Sequence, residues 1–179
     1  MEIADFENWR AVAEDAAKVL RAGEVVALPT ETVYGLGADA FNAEAVAKVF
    51  EAKGRPSFDP LIVHIAGIRD LHRVAVVSKE LEDVVRQLAK SFWPGPLTMV
   101  LPKHEDIPDL VTSGLPTVAV RVSKHEVMRL LTKDLGPIAA PSANRFGRIS
   151  PTSASAVLDE LKGSIPLIVD GGACSNGLE

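Results

Sequence analysis

The stretch Pro29-Thr30-Glu31-Thr32-Val33-Tyr34-Gly35-Leu36-Gly37 follows directly on a short apolar run ending at Leu28. Hydroxyls placed at a strand end can contact a ligand, and the two glycines allow a close backbone approach. An ordinary turn is the alternative. Gly35 to Ala40 also fits a loose G-x-G-x-x-A dinucleotide fingerprint. That reading is rejected, because the glycines do not follow the strand directly and the next helix starts at Asn42 rather than at the second glycine. Next come Lys53-Gly54-Arg55-Pro56. Two cations leaving a helix end suit the helix dipole. They also suit a triphosphate, on which arginine forks onto oxygens and lysine supplies a point charge.

His64 and Arg121 each stand in an apolar strand, Leu61 to Ile65 and Val118 to Val122. A lone strand histidine serves packing or a ligand. A guanidinium in a buried strand needs an internal carboxylate or an open cleft with an anion. Ala139-Ala140-Pro141-Ser142-Ala143-Asn144 then leads through Arg145, Gly147 and Arg148 to Ser150-Pro151-Thr152. Ser142 and Asn144 could contact a ribose or phosphate, or do turn chemistry only. Ser150 or Thr152 could cap the following helix. The four histidines show no metal-ligand spacing, and no P-loop or nucleophile elbow is present. Cys174 has no base placed beside it in the sequence and is expected to be inert.

Elements must hold these residues in place. Phe6, Trp9, Val12, Ala13, Ala16, Val19 and Leu20 recur at helical spacing, with Asp5 as cap and Gly23 as stop. Strands are expected at Glu24–Leu28, Pro60–Ile65, Leu97–Leu101, Thr117–Val122, Pro137–Ala140 and Leu167–Asp170. Helices are expected after Asn42, after Ser78 with Leu81, Val84, Val85, Leu88 and Phe92 on one face, near His125–Thr132, and from a Thr152 cap to Leu161. Trp93-Pro94-Gly95-Pro96 forces a turn. Short apolar strands alternating with helices mean an α/β fold, and the connection from Leu101 to Thr117 without a clear helix predicts a mixed sheet.

The 179 residues suffice for one domain with its own core. A hydrophobic fraction of 47% and a charged fraction of 24% exclude disordered and fibrous classes. A single cysteine excludes an internal disulfide and fits a reducing cytoplasm. The acidic start Met1-Glu2-Ile3-Ala4-Asp5 reads as neither signal nor transit peptide, and no run is long enough to span a bilayer. A net charge of −5 argues for a small-molecule enzyme over a protein that coats nucleic acid.

The order of these motifs, together with Pro-Leu-Ile-Val-His-Ile at Pro60 and Trp-Pro-Gly-Pro-Leu-Thr at Trp93, resembles the YrdC-like threonylcarbamoyl-adenylate synthases from about Val19 to the last residue. The resemblance implies a twisted α/β sheet with a concave basic cleft. It implies synthesis of threonylcarbamoyl-AMP and pyrophosphate from L-threonine, bicarbonate and ATP, with magnesium on the phosphates. Another enzyme system would pass the threonylcarbamoyl group to an adenosine of tRNA, the t6A modification. It further implies that Thr32, His64 and Arg121 hold L-threonine, with Arg121 on its carboxylate. Lys53 and Arg55 would hold phosphates, and Thr117, Ser142, Asn144 and Ser150 would line the nucleotide site. Asp59 stands where the family often has asparagine beside the nucleotide. The family also usually continues past the position of Glu179, so the single domain 1–179 is expected to lack its last segment. Two other readings are a carbamoyl-transfer domain of the hydrogenase-maturation type and a non-catalytic module for double-stranded RNA.

Overall fold

The computed structural model describes residues 9–178. The expected cap Asp5 and the apolar Phe6 lie outside them. A mixed seven-stranded sheet forms the centre. Its strands are β1 (Val26–Leu28), β2 (Gly35–Asp39), β3 (Ile62–His64), β4 (Met99–Pro102), β5 (Thr117–Arg121), β6 (Ile138–Ala139) and β7 (Leu167–Ile168). Their order across the sheet is β4-β5-β3-β6-β2-β1-β7. The β3–β5 and β1–β7 pairs are parallel, and the other neighbours are antiparallel. The expectation of a mixed sheet is met.

Around it lie α1 (Trp9–Arg21), α2 (Ala43–Lys53), a 3-10 turn (Ile68–Arg73), α3 (Lys79–Phe92), α4 (Asp109–Thr112), α5 (Glu126–Leu135) and α6 (Ala154–Leu161). Local chemistry sets several of these ends. The Asn42 side chain accepts from the amides of Glu44 and Ala45, which opens α2. Gly54 closes α2 in the left-handed region at φ 58°, where a Cβ would cost energy.

Two sides of the sheet are packed differently. On one, α1 and α5 place Val12, Ala16, Leu20, Val127, Met128 and Leu131 against Val26, Leu28, Ile138 and Leu167. On the other, Val63, Val120, Leu36 and Ala139 join Val46, Val49, Val85 and Leu101 in the larger core. Residues opposite one another across a sheet share a side. The pairings His64 with Arg121 and with Ile138 therefore put His64 and Arg121 on the α1–α5 side. Those two helices cover only the β1–β6–β7 half. Beyond it, Ile62, Ala119 and Thr117 are half-buried, and Val100 is 66% exposed. This leaves an open face over β3, β5 and β4.

The structure corrects several expectations. Gly35–Asp39 is a full strand of the sheet rather than part of a turn; glycine-rich, it lacked the β-branched signature of a strand. The connection from Leu101 to Thr117 holds the short helix α4. Ser153, not Thr152, caps α6, accepting from the Ala156 amide at 3.3 Å. Ser78 stands at the start of α3 without a side-chain capping bond. Of the apolar face expected on α3, Val85 is buried, whereas Leu81, Val84, Leu88 and Phe92 are exposed.

Candidate active site

Thr30 winds the segment after β1 into a tight turn. Its hydroxyl accepts from the amides of Thr32 and Val33 and donates to the Val33 carbonyl at 2.6 Å. The turn presents Glu31 and Thr32 to the end of β5. There one guanidinium nitrogen of Arg121, Nη2, donates to Glu31 Oε1 at 2.7 Å and to Thr32 Oγ1 at 3.0 Å. The second carboxylate oxygen of Glu31 accepts from Ser123 Oγ at 2.5 Å and from the Lys124 amide at 3.0 Å. The ion pair is buried, with side-chain exposures of 3% for Arg121 and 6% for Glu31. Burial raises the Glu31 pKa, but hydrogen bonds from Ser123 and Arg121 outweigh it and hold the carboxyl below its ordinary value.

His64 lies beside Arg121 in the parallel β3–β5 pair. Burial first, then the Arg121 charge, push its pKa down to about 3, so the ring is neutral at physiological pH. Its Nδ1 is buried without a hydrogen-bond partner, as is Arg121 Nε. Each such orphaned buried atom costs free energy until a partner satisfies it. A ligand with a carboxylate and a hydroxyl or amine offers the complement. Thr32, His64 and Arg121 thus come together, as the sequence reading requires.

Sequence reasoning allowed Arg121 either an internal carboxylate or an open anion site, and the structure shows the carboxylate. Glu31 stands inside the conspicuous motif but was given no role there. A usable signal existed: an acidic residue directly after a buried strand is a natural partner for a buried strand arginine.

The second group gathers at the end of α2. Lys53 is buried, and its ammonium donates to the carbonyls of Ser142 and of Asn144, the latter at 2.5 Å. Lys53 therefore ties α2 to the turn after β6. It is thus a packed residue rather than a solvated helix-end cation. Arg55 donates from Nε to the Asp59 carbonyl at 3.1 Å and from Nη2 to the Pro60 carbonyl at 3.0 Å. It also pairs with the Asp59 carboxylate at 2.9 Å. The unusual Asp59 is thus charge-compensated by Arg55. Asn144 donates to the carbonyls of Arg145 and Arg148, while its Oδ1 is buried without a partner.

Main-chain bonds join the two groups. Tyr34 N donates to Pro151 O, Leu36 N to Pro141 O, and Ala143 N to Tyr34 O. The hydroxyl-bearing turn and the segment 141–151 therefore run side by side. Ser142 bridges to Gly35, where an added Cβ would stand 3.2 Å from that of Ala140. Ser150 is half-buried in this segment, and Thr117 shares its side of β5 with Arg121.

Residues 171–176 close over the same turn. Tyr34 Oη donates to Gly172 O, and the Asn176 amide donates to Glu31 O at 2.9 Å. Cys174 is half-buried here, its thiol pKa raised chiefly by burial, which suits an inert residue. Among the described residues, no group of three or more His, Cys, Asp or Glu is arranged to hold a metal ion. No helix among them is long and apolar enough to cross a membrane.

Known proteins resemble this chain in sequence and fold. The family model of the Sua5, YciO and YrdC proteins, described as telomere recombination, matches residues 18–179. A threonylcarbamoyl-AMP synthase of Pyrococcus abyssi is 51% identical over 97% of this chain and 50% of its own length. One of Bacillus subtilis is 52% identical over 92% of this chain and 47% of its own. The crystal structure of P. abyssi Sua5 complexed with L-threonine superposes with a TM-score of 0.87 at 48% identity, over 96% of this chain and 49% of that one. This chain thus spans about half the length of these relatives. With the match covering nearly all of its residues, the chain belongs to the Sua5/YciO/YrdC family.

Proposed function

We propose that this chain carries the threonylcarbamoyl-AMP synthase site, joining L-threonine, bicarbonate and ATP with release of pyrophosphate. The observation that carries the reading is the buried pair of orphaned atoms, Arg121 Nε and His64 Nδ1, beside the Thr32 hydroxyl. The relative crystallised with L-threonine supports it. The unit proposed to do this is a single domain over 1–179, with the open face over β3, β5 and β4 as the floor of its cleft.

In this reading the carboxylate of threonine takes the Arg121 guanidinium. Neutral His64 offers one donor or acceptor to the amine or hydroxyl, and Thr32 orients it. The amine attacks bicarbonate, or the carbon dioxide formed by its dehydration, giving the carbamate with net release of one water. A carbamate oxygen then attacks the α-phosphorus as its bond to the α,β-bridging oxygen breaks, expelling pyrophosphate. Both reacting partners are anionic, so alignment and charge neutralisation do most of the work, and no nucleophilic side chain is needed. Lys53 and Arg55 are proposed to face the phosphates, and Thr117, Ser142, Asn144 and Ser150 the nucleoside, with Asp59 near them. Magnesium is proposed to arrive with ATP, its shell filled by phosphate oxygens and water. The product would serve t6A synthesis on tRNA through a separate transfer enzyme, in the cytoplasm.

The test is pyrophosphate release from ATP. It is expected to require both L-threonine and bicarbonate. Serine should support it less well, since the missing methyl group is worth on the order of 1–3 kcal/mol in a fitted apolar pocket. Equal release without an amino acid would sink the reading.

A further inference from the structure

We propose that Glu31 is a positioning residue for amino-acid binding, holding the Arg121 guanidinium in one orientation beside Thr32. The inference rests on the threonine-site reading above and adds to it a residue that reading does not use.

The geometry differs from that of an ion pair held for stability alone. A carboxylate that stabilises an arginine best takes two guanidinium nitrogens in a parallel fork. Here Glu31 Oε1 takes Nη2 alone, and that nitrogen is shared with Thr32 Oγ1. Nε stays buried and unpartnered, as does Nδ1 of His64, the residue opposite Arg121 on β3. The clamp thus holds the guanidinium through Nη2 and leaves Nε, on the same edge, without a partner.

Glu31 is itself fixed with unusual care. Ser123 Oγ and the Lys124 amide hold its other oxygen, and both belong to the turn that follows Arg121 in the chain. From the other direction, the Asn176 amide and Ser175 Oγ reach its main-chain carbonyl. A residue gripped by β5's exit turn on one side and by 175–176 on the other can orient a long, otherwise mobile guanidinium. Deleting its charge should leave Arg121 present but misdirected.

The experiment is calorimetric titration of L-threonine, and separately of ATP, into the wild-type chain and the Glu31→Gln and Ser123→Ala variants, with thermal melting of each. Glu31→Gln keeps the side-chain size but cannot accept from Ser123 and Lys124 through its amide nitrogen. L-Threonine should bind at least tenfold more weakly to Glu31→Gln and about threefold to tenfold more weakly to Ser123→Ala. ATP affinity should stay within twofold. Ser123→Ala removes one hydrogen bond and leaves the ion pair, so it serves if Glu31→Gln does not fold. A folded variant binding threonine as wild type does would overturn the proposal. So would equal losses for threonine and ATP, which mark general loosening. No threonine binding by the wild-type chain would instead overturn the functional reading, and this inference with it.

Discussion

Lys53 shows how one side chain can be legible in type and misread in place. Lysine at a helix C-terminus is ordinarily a solvated partner of the dipole. Here its ammonium is buried against two carbonyls of the turn after β6. Lys53→Met keeps the apolar stem and removes every donor. Ser142 O and Asn144 O then lose a charged partner, which should cost ~2–4 kcal/mol of unfolding free energy. Urea denaturation measures this directly. A loss below ~0.5 kcal/mol would show that the turn holds without Lys53. Any activity loss in such a variant therefore mixes the proposed phosphate contact with loop position. Arg55 offers a second probe, since it bonds Asp59 and Pro60 within its own loop.

At the scale of elements, periodicity located the helices but not the surface each one buries. In α3 the residues Leu81, Val84, Val85, Leu88 and Phe92 share one stripe, as helical spacing demands. The sheet takes only Val85 and Ala89, because the helix is rotated so that Leu88 and Phe92 look outward. Substitutions should separate accordingly. Val85→Ser should lower stability by ~2 kcal/mol or more through lost burial and an ill-placed hydroxyl. Leu88→Ser, on the exposed side, should stay within ~0.5 kcal/mol. Thermal or urea midpoints of the two variants decide it, and equal losses would mean that the stripe is packed in solution. The missed strand β2 has the same kind of explanation. Gly37 is wanted there because a Cβ would stand 2.9 Å from Leu28 Cδ1, a demand that comes from the neighbouring strand and leaves no periodic trace.

For the whole molecule, the buried site makes stability depend on pH. The folded pKa of His64 is about 3, against 6.5 for the free side chain. The unfolded chain therefore binds its proton first, and the contribution is fully present above about pH 6.5 and is lost as pH falls toward 3. Between pH 7 and pH 5 this amounts to about 2 kcal/mol. His125, depressed mainly by burial, acts in the same direction. Glu31, held below its ordinary value, adds its loss only at lower pH, as its carboxylate is protonated. Urea unfolding at pH 7 and pH 5 should show the drop, and His64→Gln should show less of it. Equal stability at both pH values would contradict the buried neutral histidine.

What the sequence determined by itself was the α/β class with its mixed sheet and the family resemblance, which groups Thr32, His64 and Arg121 as one proposed site. These rest on local signals: apolar runs bounded by glycine and proline, caps such as Asn42, and polar residues placed against expectation, as His64 and Arg121 are in apolar strands. Tertiary structure alone decided who partners whom. Glu31 and Arg121 lie 90 positions apart in the chain, and Lys53 and Asn144 lie 91 apart. Their meeting follows from the order β5-β3-β6-β2-β1, in which strands distant in sequence become neighbours. No local propensity encodes that order, because it is set by how seven strands and their covering helices pack into one core.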